Sequence, residues 1–370
     1  MKKILFIISS LRCGGAETLL LDILLNFDYK KYDVTLLLFN KDKMLNTPLP
    51  NHVKIKYAIG FGPRSNHYKR LVLSKLGLID AFYKRQICKS VDSNYDTIVS
   101  FLEGFPVRAH YYLLNRSVNN ISFIHTDLYN YADSALQFTG TLTQDEIYRK
   151  MDKLVFVSQN AQKGFVKRYP HVSTSYTILR NFVDLDKIRI KANAFDYSNQ
   201  FFTIVSVGRV TEVKGYDILP EIASILKAKK MNIKFLVVGD GGYMDKLRQL
   251  IKKTHTEDMF ELKGFQPNPY PFIKKSNLLI STSHTEGFPL TFCEAMCLGI
   301  PILASKTAGA VELLESGVGI LVERDVDEYV NWIEQLFYNK DIYINYKNKS
   351  LAYSSNFDKD KYMQKLYMLL

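Results

Sequence analysis

The stretch from Asn277 to Pro301, NLLISTSHTEGFPLTFCEAMCLGIP, limits what the rest of the chain can fold into. It begins as the end of an apolar strand, Asn277-Leu278-Leu279-Ile280-Ser281, and passes through a polar turn, His284-Thr285-Glu286-Gly287-Phe288. From Pro289 to about Leu298 it reads as a helix, with Pro at the first helical position and Gly299 and Pro301 as the stop. A strand that feeds a glycine-bearing turn and then a helix start presents unpaired backbone N–H groups and the positive end of a helix dipole. That is an anion site, and phosphate is its usual occupant. Two carboxylates bracket it: Glu286 in the turn and Glu294 in the helix. Acids beside a phosphate site need a reason. Hydroxyl-rich groups on either side of a diphosphate supply one, a sugar at one end and a ribose at the other.

With a strand before it and G-x-P after it, E-G-F-P-L-x-x-x-E-A, Glu286 to Ala295, resembles the E-x7-E signature of retaining glycosyltransferases of family 4. These are nucleotide-sugar enzymes with two Rossmann-like domains. The resemblance implies an α/β chain of the GT-B type, two doubly wound Rossmann-like domains facing across a cleft.

The rest of the pattern is consistent with that expectation. Lys3–Ser9 is an apolar, β-branched strand, Ser10–Gly15 a glycine turn and Ala16–Asn26 a helix, followed by strands at Tyr32–Phe39 and Val53–Ala58. Strand–turn–helix–strand opens a doubly wound sheet. The alternation restarts at Phe201–Val207 and continues to Val322, and 370 residues suffice for two cores. The expected domains are 1–185 on the acceptor side, a polar linker at 186–200, and a donor-binding domain at 201–355. The last helix, 356–370, by resemblance crosses back to the first domain. Asn181-Phe182-Val183-Asp184 resembles the N-G-V-D segment that closes the first domain in that family, with Phe182 in place of glycine.

Val207-Gly208-Arg209 ends a strand, and Lys214-Gly215 follows within the same loop. Two cations at the carboxyl end of a strand are placed to neutralise a diphosphate. Arg209 and Lys214 match the Arg and Lys that hold the donor diphosphate in family-4 enzymes. The resemblance further implies that Glu286 meets hydroxyls of the donor sugar and Glu294 those of the ribose. Donor contacts are also implied for Gly15, Gly208, Gly264, Phe265, Gly287, Phe288, Pro289 and Leu290. His125, closing a strand before Thr126-Asp127, matches the histidine facing the donor sugar. Gly14-Gly15-Ala16-Glu17 resembles the glycine loop near sugar and acceptor, and Glu103 also ends a strand, so Gly14 and Glu103 are acceptor candidates. Gly309 and Glu312 match a further loop of the family.

No cluster with metal-ligand spacing is evident, so no metal and no cofactor are expected; the nucleotide sugar is substrate. Cys293 and Cys297, one helical turn apart, read as small apolar residues of a buried helix face. The charge is uneven: residues 1–191 hold 28 Lys and Arg against 16 Asp and Glu, the remainder 21 against 21. An anionic partner of the first domain follows. No nucleic-acid motif is present, which leaves an anionic membrane surface or a diphosphate-bearing acceptor. Residues 60–91, basic and amphipathic, read either as an interfacial helix or as a solvated helix packed on the sheet. No apolar run spans a bilayer, and MKKILFIISSL reads as a first buried strand rather than a signal peptide. The chain is therefore expected in the cytoplasm, peripheral at the inner face of the membrane. The expected activity is transfer of a hexose or N-acetylhexosamine, from a UDP-sugar rather than GDP-mannose, to a growing lipid-linked bacterial glycan. An epimerase of the same architecture and a non-catalytic nucleotide-sugar-binding subunit are the alternatives.

Overall fold

The computed structural model describes residues 1–11, 14–39, 48–58, 72–73, 76–129, 143–197 and 200–370. They form two compact units, Met1–Arg180 with Asp360–Leu370, and Asn181–Lys359.

The first unit is built on seven parallel strands: β1 (Lys2–Ile8), β2 (Tyr32–Leu38), β3 (Lys54–Tyr57), β4 (Tyr95–Ser100), β5 (Ser117–Ile124), β6 (Lys153–Phe156) and β7 (Ser175–Ile178). Their order is β3-β2-β1-β4-β5-β6-β7. In β1, Ile4 through Ile8 are all fully buried, as expected of a parallel strand covered on both faces. Ile4 pairs with Val34 on one side and Thr97 on the other. The last helix, Lys359–Leu369, belongs to this unit: the Asp28 N–H donates to the Tyr367 hydroxyl at 2.8 Å, and that ring stacks on Tyr32 at 5.2 Å.

Much of the basic stretch at 60–91 lies outside the described residues. Within it, helix Ile79–Ser90 buries Ile79, Tyr83 and Ile87, a four-residue spacing that makes one face. That face joins the apolar cluster of Leu5, Ile7 and Ile98, so for these residues the reading of a surface helix packed on the sheet holds.

The second unit has six parallel strands: β8 (Phe202–Val207), β9 (Ile233–Val238), β10 (Phe260–Leu262), β11 (Leu278–Ser281), β12 (Ile302–Ser305) and β13 (Ile320–Val322). The order β10-β9-β8-β11-β12-β13 reverses direction between β8 and β11. In an open parallel sheet the carboxyl ends of the two strands at such a reversal flank the ligand crevice.

One expectation needs correction. The stretch 186–200 is not a plain linker: helix Leu185–Lys191 occupies its start, capped by Asp184, whose Oδ1 accepts from the Lys187 N–H at 2.9 Å. Only Ile188 is buried in that helix, too little apolar periodicity to register in the sequence. Helix Lys340–Tyr353 was also illegible, because Ser350 is its one buried residue. Its start is marked only by the Asn339 side chain, which accepts from the backbone N–H groups of Asp341 and Ile342.

Candidate functional site

The turns after β8, β9 and β10 are joined through backbone. The Gly208 N–H donates to Val238 O at 3.1 Å, and the Gly239 N–H to Gly264 O at 2.8 Å. Gly264 has a left-handed backbone (φ +63°), and Phe265 beside it is half exposed. Arg209 is exposed and makes no ion pair among the described residues.

Lys214 is differently placed. Its Nζ meets Glu286 Oε1 at 2.6 Å, and Ser283 Oγ donates to the same oxygen at 2.7 Å. Among the described residues, Oε2 of Glu286 takes no hydrogen bond. The Glu286 side chain is 11% exposed and that of Lys214 31%, so the pair is only partly screened by water. Two further bonds tie the loops together: the His284 N–H donates to Val213 O at 2.9 Å, and Thr282 Oγ1 to Lys214 O at 3.3 Å. Tyr216 is buried within reach of the Glu286 charge. Burial pushes its hydroxyl up to about 12, a Ser206 hydrogen bond opposes that rise, and the Glu286 charge adds to it.

Helix Leu290–Cys297 begins one residue later than the sequence suggested. Pro289 is the N-cap (φ −73°, ψ 101°) and Leu290 the first helical residue. Phe288 and Leu290 are buried, which holds the helix start against the core while Glu286 and Gly287 remain half-buried. Glu294 is 9% exposed and accepts from the Tyr270 hydroxyl at 3.2 Å. Both cysteines of the helix are buried; Cys293 Sγ points at Pro289 O and Cys297 Sγ at Leu185 O, and burial pushes the Cys293 thiol well up. Gly309 and Glu312 lie not in a loop but in helix Ala308–Leu314. The Gly309 N–H donates to Glu286 O at 2.9 Å, and a Cβ there would stand 2.5 Å from Gly287 O. Only glycine lets this helix start press on the acid-bearing turn. Among the described residues, no group of three His, Cys, Asp or Glu side chains is placed to hold a metal ion.

The remaining candidates belong to the first unit. His125 is 9% exposed and packs on the rings of Phe101 and Phe123 at 5.0 and 6.1 Å. Burial lowers it to about 4, opposed by a backbone hydrogen bond with Phe101, and its Nε2 is buried with no hydrogen-bond partner among the described residues. Glu103 Oε1 accepts from the backbone N–H groups of His125 and Thr126, the latter at 2.7 Å, and from Thr126 Oγ1 at 3.1 Å. Its carboxylate therefore braces the turn that carries His125. Gly14 is the N-cap of helix Gly15–Leu25, in extended backbone, with residues 12–13 before it outside the described set.

The second unit thus gathers Gly208, Arg209, Lys214, Glu286, Gly287, Phe288, Pro289, Leu290 and Glu294 on the two strand ends flanking the sheet reversal and the helix that follows. Gly264 and Phe265 reach it through the β9 turn. His125 and Glu103 are joined within the first unit, and Gly14 and Gly15 open helix Gly15–Leu25 of the same unit. Sequence reading missed Ser283, Tyr270 and Arg324. Arg324 donates from Nε to Thr282 O at 3.1 Å and from Nη2 to Gly215 O at 3.3 Å and Asp217 Oδ1 at 2.5 Å. Nothing local in the sequence marks Arg324, because its partners lie far away along the chain.

Residues 189–353 match the model of glycosyl transferases group 1. The chain is 27% identical over 375 residues to a Campylobacter jejuni N-acetylgalactosamine-N,N'-diacetylbacillosaminyl-diphospho-undecaprenol 4-alpha-N-acetylgalactosaminyltransferase, covering 98% of this chain and 97% of that protein. It is 28% identical over 197 residues to an uncharacterized glycosyltransferase of Methanocaldococcus jannaschii, a match that spans 48% of that protein's length. Among solved structures, Anabaena HepE in complex with UDP and glucose superposes with a TM-score of 0.78 at 20% identity, covering 100% of this chain and 99% of that one. The protein therefore has the GT-B fold of two parallel-sheet, Rossmann-like domains, and the stretch similar to glycosyl transferases group 1 lies within its second unit.

Proposed function

We propose that the protein is a retaining glycosyltransferase that moves a hexose or N-acetylhexosamine from a UDP-sugar to a lipid-linked bacterial glycan. The observation that carries this reading is the Lys214–Glu286 pair across the sheet reversal, with Arg209 in the same loop making no ion pair among the described residues. A diphosphate would take Arg209, Lys214 and the N–H groups at Gly287–Leu290 as its partners. Glu286 would keep Oε2 for hydroxyls of the sugar, and Glu294 would accept from those of the ribose, roles that suit acceptor-only carboxylates.

In the reaction the acceptor oxygen forms a bond to the anomeric carbon while the bond from that carbon to the diphosphate oxygen breaks. Attack comes from the face that the diphosphate leaves, and a leaving-group oxygen takes the acceptor's proton. Negative charge grows on the departing diphosphate. Arg209, Lys214 and the helix start stabilise it from fixed positions, with no metal ion required. By resemblance, His125, held neutral near pH 7 by burial, would be the histidine that faces the sugar.

The donor class is supported by the nucleotide bound in HepE, and the acceptor class by the diphospho-undecaprenol in the name of the Campylobacter relative. The test is nucleotide release from a panel of UDP- and GDP-sugars, with and without an undecaprenyl-diphosphate-linked acceptor, in buffer containing EDTA. Acceptor-dependent UDP release with α-linked product supports the reading. Donor altered at a sugar carbon without UDP release, or no release with any acceptor, would sink it.

A further inference from the structure

The donor loop and the acid-bearing turn are separate in sequence, and one partly exposed ion pair and two hydrogen bonds join them directly. Lys214 lies in the loop after β8, Glu286 in the turn after β11, and a third element keys them together. Arg324, from the segment after β13, places one guanidinium on Thr282 O of the turn and on Gly215 O of the loop. Asp217 pairs with the same group at 2.5 Å, and the Arg324 side chain is 24% exposed. Gly215 is left-handed (φ +62°), and a Cβ there would stand 2.1 Å from Thr282 O and 3.0 Å from Arg324 Nε. Backbone, glycine and guanidinium are therefore packed to contact at the residue next to Lys214. A planar fork can satisfy two carbonyls and a carboxylate at once; an ammonium cannot match that geometry.

We propose that Arg324 is a positioning residue that holds Lys214 and Glu286 in register for donor cleavage. This rests on the donor-site reading above, and its test has an arm that does not depend on activity. Arg324→Gln and Arg324→Lys are compared with wild type and with Lys306→Ala, which breaks only the neighbouring surface pair Lys306–Glu323. Amide exchange is followed in the ligand-free protein. In Arg324→Gln the segments 211–217 and 282–287 exchange about tenfold faster while the remainder of the unit is unchanged. With donor, kcat falls about tenfold to a hundredfold while donor KM moves less than about threefold. Arg324→Lys recovers part of both effects, and Lys306→Ala matches wild type. Unchanged exchange in the two segments overturns the proposal, as does a uniform rise across the unit or a loss confined to KM. If wild type releases nucleotide from no donor, the functional reading falls by itself and the exchange arm still decides the role of Arg324.

Discussion

Lys214 and Glu286 stand 72 positions apart and share one hydrogen bond, so the cation and the acid meet a ligand as one unit. Removing the cation from a site that stabilises a leaving diphosphate forfeits about 3 kcal/mol of barrier, or about a hundredfold in rate. Lys214→Ala should therefore lose about a hundredfold in kcat for UDP release while remaining folded; a loss of less than about threefold would exclude Lys214 from the reaction. Two histidines make a second residue-scale prediction. His110, held between Ser100 Oγ and Asn120 Oδ1 at 3.0 Å each, and His125 are both buried and lowered to about 4. Between the ordinary value of 6.5 and 4 the unfolded chain takes up a proton that the folded one refuses. Their contribution to stability is complete above 6.5 and is lost as pH falls, by about 2 kcal/mol each at pH 5. Glu103 acts the other way, because burial raises its carboxyl and protonation then favours the folded state. Urea unfolding at pH 7.5 and 5 should therefore show a shallower pH dependence for His110→Asn and for His125→Asn than for wild type. An identical slope in all three would mean that neither imidazole is held neutral.

At the scale of elements, the site is a set of turns held by their neighbours' backbones. Helix Ala308–Leu314 starts on the carbonyl of Glu286, and the atoms a Cβ at Gly309 would meet are Gly287 O, Gly287 C and Glu286 O. Backbone cannot swing aside as a flexible side chain would, so Gly309→Ala must displace either the helix or the turn. We expect a loss of about 1–3 kcal/mol of stability and a drop in UDP release larger than that stability loss accounts for. Thermal unfolding and release rates measured together check this, and wild-type values in both would mean that the helix start is not seated on the turn. The local rules read this region well up to a point. Strand, turn and helix around Glu286 follow from the apolar run at 277–281 and the stop signals at Gly299 and Pro301. The helix at 308–314 was read as a loop, because a seven-residue helix rich in small residues has little periodicity to show.

For the whole molecule, charge and fold bear on different questions. The excess of Lys and Arg over Asp and Glu falls entirely within residues 1–191, and among the described residues no helix is long and apolar enough to cross a membrane. If the proposed lipid-linked acceptor is the substrate, the basic first unit should bind anionic vesicles and release them as salt is raised. The attraction is screened over about 8–10 Å at physiological ionic strength. Co-sedimentation with phosphatidylglycerol vesicles, compared with phosphatidylcholine vesicles, checks this. Equal binding to both, or none to either, would remove the membrane surface from the list of partners.

The sequence by itself determined the alternation of strands and helices, the two-domain count, and the nature of the turn between β11 and its helix. Those features rest on side-chain periodicity and end signals within a dozen residues. Arg209, Lys214, Glu286 and Glu294 were named through the resemblance carried by the loop after Val207 and by Glu286–Ala295. Only the tertiary structure decided that β8 and β11 are neighbours, that Lys214 reaches Glu286, and that Glu103 spends its carboxylate on the turn bearing His125. The same holds for Arg324, which joins Thr282 and Gly215 from 42 and 109 positions away. Such contacts are set by the order in which strands join a sheet, and no local pattern of side chains encodes that order.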